Sequence, residues 1–147
     1  MISEDWQNIM AQKFEVKKIQ FKKVEEVDGN IVVAEVQKQI PFEINRFFYI
    51  FGVPKGQQRA NHASVDSDFV LVAIRGSVQV LLSDGDVQHI TKMDDNSTGL
   101  LVPRGTWMRT FDFSEDCVLF VLASSTYENC HYISDFAEFR KYKGLER

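Results

Sequence analysis

The sequence predicts an all-β fold, an antiparallel sandwich or barrel with a short helix at each end of the chain. Three observations carry this. Eight to ten short apolar or alternating runs follow one another between Phe14 and Ala123, turn residues separate them, and no helical period intervenes. Twelve phenylalanines against three prolines and eight glycines fit many short strands better than long loops.

At the start, Met1 to Ala11 is expected to form a helix. Ser3 can cap it, Glu4 and Asp5 sit in the first turn, and Ile2, Trp6, Ile9 and Met10 recur at helical spacing. Residues 1–13 therefore read as a helical extension and 14–147 as one domain. From Phe14 the period becomes two: Phe14 and Val16, then Ile19 and Phe21, alternate with polar residues. Asp28-Gly29-Asn30 signals a turn before the run Ile31 to Val36. Further strand candidates are Ile44 to Phe51, Phe69 to Ile74, Val78 to Leu82, Val87 to Ile90, Gly99 to Val102, Trp107 to Phe113 and Val118 to Ala123. Between them, Asp84-Gly85 suits a hairpin, Arg75-Gly76-Ser77 a tight bend or bulge, and Pro103-Arg104-Gly105 a corner. Tyr132, Ile133, Phe136, Phe139 and Tyr142 then return to steps of three and four, which predicts an amphipathic C-terminal helix.

Seventeen basic against twenty-one acidic residues leave a net charge of −4, so a broad electrostatic grip on nucleic acid or on an anionic membrane lacks its driving term. A small anion met by two or three local arginines is still compatible with that balance. The longest apolar runs, Phe69 to Ile74 and Cys117 to Ala123, fall far short of the roughly 20 residues of a membrane-spanning helix. The first twelve residues do not resemble a secretory signal, and a cytoplasmic protein is expected. Two cysteines, Cys117 and Cys130, make neither a disulfide framework nor a zinc knuckle; both are expected reduced, with Cys117 buried.

Gly56 to Ser64, followed by a strand and Gly76, has the spacing of the first cupin motif, and Pro103 to Met108 that of the second. A metal-binding cupin would place two histidines, a carboxylate and a third histidine where this chain has His62, Ser64, Phe69 and Met108. One imidazole beside a phenyl ring and a thioether does not make the donor set of a divalent ion, so no metal and no other cofactor is expected. His62 can instead exchange a proton near neutral pH, or it is a structural histidine at a strand end. His89 and His131, among polar neighbours, are expected at the surface.

The segments Pro41 to Ile50, Arg59 to Ser64, Gly76-Ser77, Asp84-Gly85, Asp112 to Cys117, Leu122 to Ser124 and Tyr132 to Phe136 with Phe139 together resemble the sugar-nucleotide 3,4-ketoisomerases, which act on dTDP-4-dehydro-6-deoxyglucose. The likeness runs from about Phe14 to Tyr142. It implies a cupin (jelly-roll, RmlC-like) β-barrel, a homodimer, a dTDP-hexose substrate, no metal, and a place in deoxyamino-sugar synthesis for surface glycans such as the lipopolysaccharide O-antigen. In that family the stretch at 59–64 reads Arg-Gly-any-His-Ala-His, and catalysis depends on both histidines. This chain keeps His62 but has Ala60 for the glycine and Ser64 for the second histidine.

Moving a keto group from C4 to C3 needs a proton taken from C3, an enediolate stabilised, and a proton returned at C4. His62 is the candidate proton carrier, Ser64 a hydroxyl partner, and Tyr49 and Arg46 donors to the sugar or its diphosphate. Arg59 suits the diphosphate best, because a guanidinium meets two phosphate oxygens at once. Either arginine could instead be a solvated charge, and Tyr49 a packed aromatic. Trp107 either stacks on the thymine base or fills the barrel mouth. The alternatives are a sugar-nucleotide-binding cupin without turnover and an epimerase using His62 with Asp66 or Asp68 and Tyr49.

Overall fold

Alternation of apolar and polar residues drives two sheets face to face, and the computed structural model, which describes residues 14–146, shows them. In chain order the strands are β1 Lys17–Gln20, β2 Lys22–Glu26, β3 Gly29–Val33, β4 Arg46–Phe51, β5 Arg59–Ser64, β6 Phe69–Arg75, β7 Val78–Ser83, β8 Gln88–Met93, β9 Thr98–Val102, β10 Trp107–Phe111, β11 Val118–Ala123 and β12 Tyr132–Ile133; helix α1 spans Phe136–Tyr142. One sheet has the order β1-β9-β6-β11-β4, the other β12-β5-β10-β7-β8, and every pairing within them is antiparallel. This is the expected jelly-roll barrel. The N-terminal helix expected over Met1 to Ala11 lies outside the described residues.

β6 sits at the centre of the first sheet and is apolar on both faces, as a strand covered on both sides must be. Its Phe69, Leu71 and Ala73 meet Val78, Val80, Leu82 and Met108 from the second sheet and Leu119 and Val121 from β11, forming the core between the sheets. Val70 and Val72 face outward instead, where Phe21, Ile40, Phe42 and Ile44 cover them. The second sheet's outer face carries Leu81 and Trp107 beneath Phe139 of α1. Asp135 caps that helix by accepting a hydrogen bond from the Glu138 N–H at 2.9 Å.

At the β6–β7 bend Gly76 has φ +69°, and a Cβ there would lie 2.6 Å from Asp116 Oδ1 and 2.8 Å from the Cys117 Cα. Only glycine fits. Ser114 then ties the bend down, its Oγ accepting from the Ser77 N–H at 2.8 Å.

Three elements differ from expectation. β5 was not foreseen as a strand, since Arg-Ala-Asn-His-Ala-Ser holds no β-branched residue; its partners β10 and β12 impose the extended form. β2 is nearly all charged, and it forms with β3 a two-stranded hairpin apart from both sheets. The C-terminal helix begins at Phe136 rather than Tyr132, because Tyr132 and Ile133 pair with Ser64 and Ala63. Cys117 is buried and both cysteines are free.

Candidate active site

Between the sheets a cavity of about 450 Å³ opens, with Arg46, Phe48, Arg59, His62, Met108 and Tyr132 in its wall. His62 reaches it through a fault in β5. β10 pairs Met108 with His62 but Arg109 with Ala60, so Asn61 is left without a partner in the ladder. Ala60 and Asn61 both take left-handed conformations, φ +70° and +59°. Asparagine tolerates this region, whereas the Cβ of Ala60 raises its cost by about 1–2 kcal/mol. The bulge restores the alternation beyond it and aims His62 inward.

The His62 ring lies 4.0 Å, centroid to centroid, from the Tyr132 ring at 47°. Its Nδ1 is buried without a hydrogen-bond partner. Burial pushes the His62 pKa below the ordinary imidazole value, so the ring is neutral at pH 7 and has a nitrogen free to accept a proton. Tyr132 is pushed up to about 12, chiefly by burial, then by the neighbouring Cys130 thiol, with the facing Arg46 guanidinium acting in the opposite sense.

Arg46 follows the inward phase of β4 with Phe48 and Ile50. Its guanidinium lies 5.1 Å from the Phe48 ring centroid and 5.8 Å from that of Tyr127, and both Nε and Nη2 are buried without partners. A half-buried cation with two covered, unused donors on a cavity wall is suited to an oxygen ligand. Arg59 stands exposed at the rim of the same cavity.

The remaining sequence candidates are placed differently. Ser64 is buried, but outside the cavity wall: its Oγ accepts from the Ser67 N–H at 2.9 Å and lies 3.7 Å from Cys130 Sγ. Tyr49 borders the cavity yet takes the outward phase of β4, its ring beside Phe51. Trp107 faces the opposite side of the second sheet, between Phe136 and Phe139, because Met108 next to it takes the inward phase. It packs against the helix and does not line the cavity.

His131 is exposed and bonds Asp66 Oδ2 through Nδ1 at 2.6 Å, while His89 bonds the Phe14 carbonyl at 2.9 Å through Nε2. Asp68 holds Arg104. The two aspartates of the epimerase alternative thus engage partners other than His62. Among the described residues no three His, Cys, Asp or Glu side chains converge in the manner of a metal cage. A second cleft of about 340 Å³, near Lys18, Thr91 and Asp95, holds none of the unpartnered buried side-chain atoms. Tyr132 escaped sequence reasoning; Tyr132 and Ser134, two apart and both on the cavity wall, carry the strand period that would have marked it.

Comparison with known proteins identifies the family. Residues 14–144 match the family model described as FdtA: WxcM-like, C-terminal. The chain is 40% identical over 128 residues to the TDP-4-oxo-6-deoxy-alpha-D-glucose-3,4-oxoisomerase of Aneurinibacillus thermoaerophilus, covering 87% of this chain and 92% of that one. It superposes on QdtA, a sugar 3,4-ketoisomerase from Thermoanaerobacterium thermosaccharolyticum solved with TDP, with a TM-score of 0.85 and 34% identity over 90% of this chain and 97% of that one. A 3,4-ketoisomerase from Helicobacter canadensis gives 0.85 and 31% over 90% and 99%. With the match running through both sheets, the chain belongs to the FdtA (WxcM-like, C-terminal) family of cupin-fold sugar-nucleotide 3,4-ketoisomerases.

Proposed function

We propose that this protein converts a dTDP-4-keto-6-deoxyhexose to its 3-keto isomer, with His62 as the group that takes the C3 proton and returns it to C4. One observation supports this above the others. A neutral, buried imidazole shares a cavity with a guanidinium whose Nε and Nη2 have no partner, in a chain whose relatives carry out this isomerisation. Keeping the ring uncharged preserves the base, and Arg46 meets the oxygen on which negative charge develops. Arg59 at the rim is the diphosphate contact. No step calls for a metal or redox partner: the keto group moves by proton transfer alone.

The working form in this reading is a homodimer. Phe47, Tyr49 and Phe51 stand 63%, 56% and 66% exposed along β4, the edge strand of the first sheet. An uncovered aromatic row on a sheet edge invites pairing, and the isolated β2–β3 hairpin with exposed Val27 and Ile31 is marginal alone. A second copy covers both. Light scattering should give twice the chain mass, and Phe47→Glu with Phe51→Glu should give monomer. The product would serve deoxyamino-sugar synthesis for surface glycans such as O-antigen, in the cytoplasm.

The test is to incubate the protein with dTDP-4-keto-6-deoxyglucose in deuterated buffer and follow the ring protons by NMR. The 3-keto product should form, and His62→Asn should lower the rate by about 10²–10⁴-fold. Absence of both product and exchange at C3 with the wild-type protein would refute the reading.

A further inference from the structure

We infer that the Tyr132 phenol is a second proton-handling group of this site, moving a proton between the two sugar oxygens while His62 moves one between the two carbons. The inference rests on the ketoisomerase reading above. It begins from Ser64, which stands where the resemblance places a second histidine, and whose Oγ is engaged by the Ser67 N–H outside the cavity wall. Tyr132 lies directly opposite Ser64 in the β12–β5 pairing. From there its ring lies against His62 at 4.0 Å and forms part of the cavity wall.

Other hydroxyls near the wall are worse placed. Tyr49 takes the outward phase, Tyr127 is 81% exposed against 41% for Tyr132, Ser134 is exposed and lies beyond the end of β12, and the Thr110 hydroxyl donates to the Arg59 carbonyl at 3.2 Å. Arg46, whose guanidinium interacts with the Tyr132 side chain, also has two donors without partners on the same cavity wall, which can hold an oxyanion. The phenol stays protonated throughout the neutral range, so it acts as donor and acceptor at once and needs no ionisation.

The chemistry balances without a co-reactant. His62 takes the C3 proton, the C–H pair becomes the C3=C4 bond, and the carbonyl pair moves to O4, which takes the phenol proton of Tyr132. In the same motion the phenol oxygen takes the proton of O3, so no free phenolate forms and the charge rests on O3. As the O3 pair forms the new C3 carbonyl, the C3=C4 pair takes the proton from His62 at C4. Both residues end in their starting protonation states. The adjacent O3 and O4 can be reached by one hydroxyl, which is why a single phenol suffices.

Tyr132→Phe keeps the ring against His62 and removes only the hydroxyl. With dTDP-4-keto-6-deoxyglucose, kcat should fall by about 10²–10³-fold, while KM and calorimetric dTDP affinity stay within about threefold of wild type. A Phe variant within about fivefold of wild-type kcat overturns the inference and leaves the ketoisomerase reading standing. An inactive wild-type protein removes both. Should the Phe variant lose its thermal transition, 3-fluorotyrosine at position 132 replaces it. Its more acidic phenol should move the alkaline limb of the kcat profile to lower pH, and an unmoved limb overturns the inference.

Discussion

Arg46→Met should make the protein more stable and less active at the same time. Nε and Nη2 of Arg46 are buried without partners. Each such donor costs about 1–3 kcal/mol, so the pair costs about 4 kcal/mol. The rings of Phe48, Tyr127 and Phe69, at 5.1, 5.8 and 6.0 Å, return about 2 kcal/mol through cation–π attraction. Methionine has a similar reach and no buried donor, so the exchange should stabilise the fold by about 2 kcal/mol, or about 4–8 °C in Tm. A substrate oxygen meeting one or two of those donors gains about 3 kcal/mol from charge-assisted bonds. Losing it lowers kcat/KM by about 10²-fold. Thermal unfolding followed by circular dichroism and steady-state NMR turnover read the two effects on the same preparation. If Tm falls, or if kcat/KM stays within about threefold, the reading of Arg46 as an underpartnered cation awaiting an oxygen is wrong.

Four further outcomes follow from three other residues. Because burial lowers the His62 pKa, the acid limb of kcat/KM should fall at a lower pH than the roughly 6.5 of free imidazole. The same shift means that the unfolded chain binds the proton first. His62 therefore contributes stability that is complete above about pH 6.5 and is lost as pH falls toward its folded-state pKa, and in His62→Asn that part of the urea-midpoint slope should vanish. Gly76→Ala places a methyl group against Asp116 and the Cys117 backbone at a positive φ, and should cost about 2–4 kcal/mol in urea unfolding. Phe139→Ala empties a fully buried site beneath α1 and should cost about 3–5 kcal/mol, loosening Trp107, whose fluorescence should shift to the red.

Most of the barrel was legible because its strands announce themselves. Runs such as Phe69 to Ile74 and Val118 to Ala123 are apolar and bounded by turn residues, and they appear as β6 and β11. The pairing order of the sheets was not legible, since alternation says that a face is buried but not by what. β5 was hidden for a local reason: its bulge at Ala60 and Asn61 breaks the period of two where the site residue sits. His62 could be singled out by its chemistry alone, and Arg46 and Arg59 do reach the same cavity. Trp107 could not be oriented from sequence. Adjacent strand residues point to opposite faces, and only the pairing of Met108 with His62 decides which goes inside. Tyr132 was masked by coincidence, because Tyr132, Ile133 and Phe136 also fit a helical step, and tertiary pairing with β5 overrode it.

β12 holds only Tyr132 and Ile133, yet it carries Tyr132 to His62, while the adjoining α1 carries Phe139 onto the outer face of the same sheet. The segment after Glu128 thus completes the inner wall of the cavity and covers the sheet behind it. During synthesis it is made after the strands it joins. β5 pairs with β10 on one side and with β12 on the other, so a chain lacking β12 would leave the imidazole facing a gap in the wall. The two-residue strand is therefore the single joint from which the inner wall and the outer cover of one sheet are both hung. Chains cut before Tyr132 should accumulate as barrels that are largely built and chemically silent.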